Sequence, residues 1–204
     1  MQKVILLIAT FLCALLIPPV AFAQDGSLSE IGSYTDDARA ARVTKLRETY
    51  RITLSDKERE LVVSRCKGAQ GALSKILERL KTTRFEREKT YTSVISALAN
   101  LKLRFENAQT DASNLDLLIV TYQQKSTGFR LSAGEYETTL EDVIRVDCVF
   151  DPVGFRAALE GVRSARKDIV GISSDITETT KSTLPTTFDS LKLRLSTDGE
   201  TSGE

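Results

Sequence analysis

The cysteines are the residues whose type and spacing point most directly to chemistry. Cys13 lies in an apolar N-terminal segment, whereas Cys66 and Cys148 lie in the rest of the chain. In an oxidising compartment, two such thiols pair as a disulfide in most exported proteins. The sequence therefore predicts a Cys66–Cys148 disulfide, and the alternative is a pair of buried free thiols.

Few other groups suggest a reaction. The chain has no histidine, and so it lacks the commonest general base and the commonest metal ligand. Serine and threonine hydroxyls are plentiful, but no residue pattern beside them would activate a nucleophile. We therefore expect no catalytic residue, no cofactor and no enzymatic activity.

Five acidic residues precede the last long predicted helix, and carboxylate oxygens can hold a hard cation. They are Glu137, Glu141, Asp142, Asp147 and Asp151. No glycine-centred loop of calcium-binding spacing is present, and Asp151 is expected to cap a helix. The sequence therefore predicts no metal site.

The first 23 residues have the pattern of a signal peptide. Lys3 precedes an apolar run over 4–17, and 21–23 (Ala-Phe-Ala) has the small residues that a signal peptidase recognises. The run is too short for an ordinary membrane anchor, which takes about 20 residues. Cleavage after Ala23 is the preferred interpretation, with an uncleaved anchor and a lipoprotein at Cys13 as the alternatives.

Charge and hydropathy limit the kinds of partner. The whole chain has 28 basic and 28 acidic residues, and removal of 1–23 takes away only Lys3, which leaves a formal charge of −1. Such a balance argues against electrostatic capture of nucleic acid or anionic lipid. No later segment is apolar enough to span a membrane, so we expect a periplasmic, extracellular or cell-surface protein.

Periodicity predicts helices almost throughout. Residues 24–35 are expected to form a flexible leader, followed by a short helix over about 36–51. Ser55 and Glu58 form a capping-box pattern, and an apolar stripe at steps of 3 and 4, which includes Ile76, follows to about 107. That stripe predicts one long helix over 55–107, with a four-residue stutter between Leu80 and Tyr91.

Turn and cap residues set the remaining boundaries. Asn107 is expected to end the long helix in the left-handed conformation, and Thr110 or Asp111 to cap a helix over 112–145. Asp151-Pro152 is a favoured helix start, which predicts a helix over 152–183. Pro185 is expected to interrupt it before a short helix over 186–195, with a disordered tail over 196–204.

These elements predict an all-α fold. Residues 36–195 would form a single elongated domain, in which an antiparallel hairpin and a third long helix make a coiled-coil-like three-helix bundle, with the short N-terminal helix added. Helix rise of about 1.5 Å per residue places Cys66 and Cys148 at similar distances from a turn near residue 110. The disulfide would then clamp the base of the hairpin.

Two surface segments have alternative interpretations. The charged run 78–89 is expected to be a solvated helix face, and a partner-binding band is the alternative. Four apolar residues follow the turn, namely Leu117, Leu118, Ile119 and Val120. We expect core packing for them, with a surface that docks a partner or a membrane as the alternative.

Several of these features resemble a family. Arg65-Cys66, the long helix, the Thr110-Asp111 turn and the 147–159 segment, with Asp147-Cys148 and Asp151-Pro152, are similar to uncharacterised exported, disulfide-containing long-helix proteins of bacterial candidate phyla. The resemblance covers about residues 55–195. It implies a long antiparallel helical fold with one disulfide and carries over no activity.

The functional expectation is a non-catalytic scaffold or protein-interaction module of the cell envelope. It would act through helix faces, by binding a protein partner or by self-association. The alternative is a holdase-like chaperone or adaptor that binds apolar client or lipid groups between its helices.

Overall fold

A computed structural model describes the backbone of residues 28–200 and the side chains of residues 36–193. This part of the chain is helical with short connections and contains no strand, so the all-α prediction is confirmed. The predicted signal peptide, 1–23, lies outside the described residues. The chain divides into two compact units, residues 1–38 and 39–204, and the described part of the first is the beginning of a helix.

Helix α1 spans Leu28–Tyr50, so it begins before position 36, where the sequence analysis placed its start. The predicted flexible leader is therefore helical from Leu28 onward. Serine and glycine in this stretch are weak helix formers rather than breakers, and no proline interrupts it. Arg51 follows the helix in the left-handed region, with φ of 46°.

Helix α2 is one element over Asp56–Asn107, close to the predicted 55–107. The Glu58 carboxylate accepts hydrogen bonds from the Ser55 backbone N–H at 2.8 Å and from the Ser55 hydroxyl at 2.6 Å. These bonds satisfy polar groups at the start of the helix and lower the pKa of Glu58. The capping-box pattern therefore marks the true start of α2.

The turn after α2 differs from the expectation in one residue. Gln109, not Asn107, adopts the left-handed conformation, with φ of 56°. Its N–H donates to the Glu106 carbonyl at 3.0 Å, and the Thr110 N–H donates to the Phe105 carbonyl at 3.0 Å. This pair of bonds is a Schellman motif, and it extends the helix to Asn107 before the chain reverses.

Two further helices follow the turn. Helix α3 spans Ser113–Arg145 and α4 spans Pro152–Glu178. Asp111 accepts from the Ser113 N–H at 3.0 Å, and Asp151 accepts from the Gly154 N–H at 2.9 Å. Asp151 is therefore the N-cap of α4 as predicted, whereas the N-cap of α3 is Ala112, and Asp111 binds the first turn of α3 from the residue before it.

Pro185 does not end the helical path. A π-helical turn, Thr179–Thr183, continues α4, and α5 then spans Leu184–Glu200. The N–H of Leu184 bonds to the Thr179 carbonyl, which widens the helix by one residue just before the proline. Because the wider turn changes the register at the point where proline lacks a donor, the helix passes Pro185. The predicted disordered tail is helical to Glu200.

The core lies along α3, which packs against both α2 and α4. Its fully buried stripe lies at helical spacing and consists of Leu115, Leu118, Tyr122, Phe129, Ala133, Leu140 and Val143. Aromatic packing closes the middle of this core, where Tyr91 of α2 meets Phe129 edge-on with ring centroids 5.3 Å apart. Burial raises the pKa of the Tyr91 hydroxyl.

One register detail of α2 was wrong. Ile76, which the predicted stripe included, is exposed, whereas Leu77 packs against the core. From Leu77 the steps of 3 and 4 run without a break to Phe105, and Arg84 and Arg87 occupy stripe positions between Leu80 and Tyr91. The four-residue stutter therefore falls at Leu73–Leu77 and not between Leu80 and Tyr91. Arg84 and Arg87 continue the stripe where the sequence has no apolar residue at the required spacing.

Within residues 28–200, none of the helices is long and apolar enough to cross a bilayer.

Candidate interaction sites

Cys66 and Cys148 lie at disulfide distance, as the sequence predicted. Their Cα atoms are 6.2 Å apart and both side chains are buried. The bond joins Cys66, in the first part of α2, to the loop between α3 and α4. It therefore closes the base of the α2–α3 hairpin where α4 departs.

Polar contacts reinforce this base. The Gln70 side-chain amide, one turn beyond Cys66, donates to the Val146 carbonyl at 2.9 Å and to the Val143 carbonyl at 3.3 Å. These carbonyls belong to the last turn of α3, where a helix leaves acceptors without internal partners. Gln70 therefore fixes the end of α3 against α2.

Helix α1, from residue 39 on, contributes two arginines to the same end. Arg42 binds Asp142 through two hydrogen bonds of 2.6 and 2.7 Å, and this carboxylate is buried on α3. The hydrogen bond raises the pKa of Arg42. Arg47 pairs with Asp151, the cap of α4. A Cβ atom at Gly154 would lie 2.6 Å from the Arg47 guanidinium, so glycine leaves the space that this pair needs.

The loop between α3 and α4 presents two apolar side chains to solvent. Phe150 is 88 % exposed and Val149 is 53 % exposed. We call these two residues the apolar knob. They follow Cys148 directly, so they stand beside the disulfide.

The backbone of the knob is held by hydrogen bonds and by the neighbouring disulfide. The Asp147 carboxylate accepts from the N–H groups of Val149 and Phe150 at 3.0 and 3.2 Å, and the Asp147 carbonyl accepts from the Asp151 N–H at 2.7 Å. The disulfide holds the preceding residue, and Asp151 is fixed by its cap and ion pair. The exposed aromatic ring is therefore carried by a constrained turn.

The acidic residues that precede α4 are engaged by the protein itself. Glu137 pairs with Arg84 at 2.7 Å and Glu141 with Lys81 at 3.0 Å, while Asp142, Asp147 and Asp151 have the partners given above. Across the described residues, no group of three or more potential metal ligands is assembled.

The charged run 78–89 is only partly a solvated face. Arg84 bonds to Glu88 on its own helix and to Glu137 on α3, and the Glu88 hydrogen bond raises the pKa of Arg84. Arg87 lies over the Phe129 ring, 5.8 Å from its centroid, and donates to the Ser173 hydroxyl of α4 at 2.8 Å. These two arginines therefore connect three helices.

The predicted surface segment 117–120 divides between core and solvent. Leu118 is 2 % exposed and Ile119 packs against the core, whereas Leu117 is 71 % exposed and Val120 is half-exposed. Successive helical residues point about 100° apart, so four consecutive apolar residues cannot share one face. The segment does not form a continuous apolar patch.

An apolar groove lies between α2 and the beginning of α5. We call it the α2–α5 groove, and its volume is about 450 Å³. Its lining comprises Val94, Ala97, Leu98, Asn100, Leu101, Arg104, Leu184 and Phe188. The Phe188 ring is partly exposed along it.

Sequence reasoning missed both the knob and the groove. A signal for the knob exists, because Val149 and Phe150 lie between a cysteine and a helix-capping acid, where no helix or strand can bury them. For the groove there is no such signal, since it depends on α5 continuing beyond Pro185 and lying beside α2.

Comparison of the chain with models of protein families, with curated proteins and with solved structures gives no match in any of the three.

Proposed function

We propose that this protein is an exported, non-catalytic helical interaction module in which a disulfide-clamped base presents the apolar knob to a protein partner. The signal-like segment 1–23 and the cysteine pair support export. Engagement of the acidic side chains in ion pairs and caps supports a structural role for them rather than a catalytic one.

The observation that carries the proposal is the exposure of Phe150 on a constrained turn. Leaving a large apolar side chain in water forgoes about 1.5–3 kcal/mol of burial energy. A side chain on an ordered turn loses little conformational freedom on binding, and aromatic residues, Phe among them, are enriched in the buried centre of interfaces. The knob therefore has the properties of an interface anchor.

Charge around the knob favours a protein over a lipid surface. Positive charge comes from Arg145 and from Arg65 and Lys67, the exposed neighbours of Cys66. Asp147 and Asp151 carry negative charge, so charges of both signs stand beside the knob. Anionic membranes attract clusters of lysine and arginine. An apolar pocket with a mixed polar rim on another protein fits this surface better.

The helices supply the support for this anchor. We propose that α2, α3 and α4 form a three-helix bundle with a coiled-coil-like seam, which is consistent with the packing of α3 on both neighbours. Self-association through the same knob is the variant of the proposal in which the partner is a second copy.

Site-specific photocrosslinking tests the proposal. A photoreactive residue placed at position 150 should give a discrete adduct in the envelope fraction of the native cells, and one at Phe85, which is 65 % exposed on α2, should not. Excess unlabelled protein should compete for the adduct, and Phe150→Ser protein should compete about tenfold less well.

Two results decide the matter. Equal adducts at positions 85 and 150, or equal competition by the Phe150→Ser variant, would remove the knob from the interface. A dimer in sedimentation equilibrium that Phe150→Ser dissolves would identify the partner as a second copy.

A further inference from the structure

The α2–α5 groove has an apolar floor and an open side. The α2 wall consists of residues at steps of 3 and 4, in which Val94, Leu98 and Leu101 are apolar and Ala97 is small. Leu184 and Phe188 of α5 form the opposite wall. Its volume of about 450 Å³ lies within the range of small-molecule pockets.

Buried residues before and after the groove along the chain fix the position of α5 and keep it from closing the groove. Ile176 and Thr179 are buried before α5 begins, and Leu191 is buried beyond the groove. Between these anchors the π turn and Pro185 set the path of the helix. Leu184 and Phe188 therefore face the groove without filling it, and the small side chain of Ala97 leaves space opposite them.

One cation stands at the end of the groove. Arg104 lies ten residues after Val94, about 15 Å along the helix, and among the residues that line the groove it is the only ionisable side chain. Its neighbour Lys102 is already paired with Asp116 at 2.7 Å and Glu106 at 3.3 Å. Arg104 is exposed, and the described carboxylates form no ion pair with it.

We propose that the α2–α5 groove binds a single-chain anionic amphiphile, with the alkyl chain along Val94, Leu98 and Leu101 and the carboxylate or phosphate head on Arg104. Each methylene transferred from water to the groove contributes about 0.8 kcal/mol. The guanidinium supplies a planar set of donors that matches a carboxylate or phosphate. The inference does not depend on the partner proposed for the knob.

Charge selects this occupant over others. A cationic amphiphile would place like charge beside Arg104, and a neutral alkane would gain no interaction with its guanidinium. The residues 201–204, Thr-Ser-Gly-Glu, have no apolar side chain to enter the groove. The occupant that meets these requirements is a free fatty acid.

Titration calorimetry with dodecanoate below its micellar concentration tests the proposal. We expect saturable binding, with the affinity reduced about fivefold to tenfold by Arg104→Gln and unchanged by Arg79→Gln, an exposed arginine elsewhere on α2. Ala97→Phe should abolish binding by filling the groove, and circular dichroism melting should show that each variant remains folded.

The inference would be overturned by the absence of saturable dodecanoate binding, by equal affinity for dodecyltrimethylammonium, or by unchanged affinity in folded Ala97→Phe protein. Arg104 also lies in the last turn of α2, where a cation favours the helix dipole. If Arg104→Gln lowers only the melting temperature and leaves dodecanoate affinity unchanged, Arg104 serves the helix end and the proposal fails.

A second arm identifies the source of the ligand. Binding of dodecanoate without sedimentation on phosphatidylglycerol vesicles would assign the groove to a free fatty acid. Sedimentation with these vesicles that Arg104→Gln abolishes would show that Arg104 binds a membrane surface and would overturn the assignment to a free single-chain ligand.

Discussion

Arg42 and Asp142, one hundred residues apart in the chain, are joined by two hydrogen bonds with the carboxylate almost fully buried. The pair fixes α1, from residue 39 on, to the C-terminal part of α3, which lies next to the disulfide. Asp142 is the most buried carboxylate in any ion pair among the described residues.

Arg42→Met should destabilise the fold by about 1–3 kcal/mol, because it leaves a buried carboxylate without its cation. The arginine is itself partly exposed, which reduces the effect below that of a fully buried pair. Urea unfolding at pH 7 measures the change.

A double variant provides the control. Arg42→Met with Asp142→Leu should be more stable than Arg42→Met alone, since both charges are then removed. A single variant as stable as the parent would show that the pair contributes nothing.

Removal of the disulfide by Cys66→Ala with Cys148→Ala should cost about 4–5 kcal/mol, since the bond closes a loop of roughly 80 residues. The urea midpoint of the oxidised parent, compared with the reduced parent and the double variant, measures the loss. Alkylation of the denatured, unreduced protein should label neither cysteine, and labelling of both would contradict the bond.

Gln109→Gly should stabilise the protein by about 0.5–1 kcal/mol. Gln109 occupies the left-handed region, where a Cβ atom is unfavourable and glycine is not. Asn107→Gly, inside the last turn of α2, serves as the matched control and should destabilise. Thermal and urea unfolding of both variants give the two signs.

The Glu58 cap should titrate below its ordinary pKa of about 4.5, because the Ser55 hydroxyl and N–H stabilise the charged form. A depressed folded pKa adds stability above the unfolded value, and this stability is lost as the pH falls through the folded value. The amide proton shift of Ser55 followed against pH reports the midpoint. Ser55→Ala should raise that midpoint. An unchanged midpoint would show that the Ser55 hydroxyl does not cause the lowered pKa of Glu58.

Local signals in the sequence predicted much of this architecture. Asp151-Pro152 and Ser55 with Glu58 mark helix starts because their chemistry acts within one turn. The Cys66–Cys148 register followed from helix rise and a single turn near residue 110. Each of these inferences needed only short-range geometry.

The remaining features depend on contacts that no local pattern carries. Leu77 replaces Ile76 in the α2 stripe because Arg84 and Arg87 hold stripe positions through partners on α3 and α4. The helix continues through Pro185 because a π turn precedes it. The knob and the groove are open because no other described element packs over Phe150 or Ala97.

The Cys66–Cys148 bond makes α2, the turn and α3 a closed covalent ring. A protease that cut once within 109–112 would leave both fragments joined, so the nicked chain would stay one molecule until the disulfide is reduced. In an environment rich in proteases, the most accessible turn of the hairpin can thus be cleaved without releasing either helix.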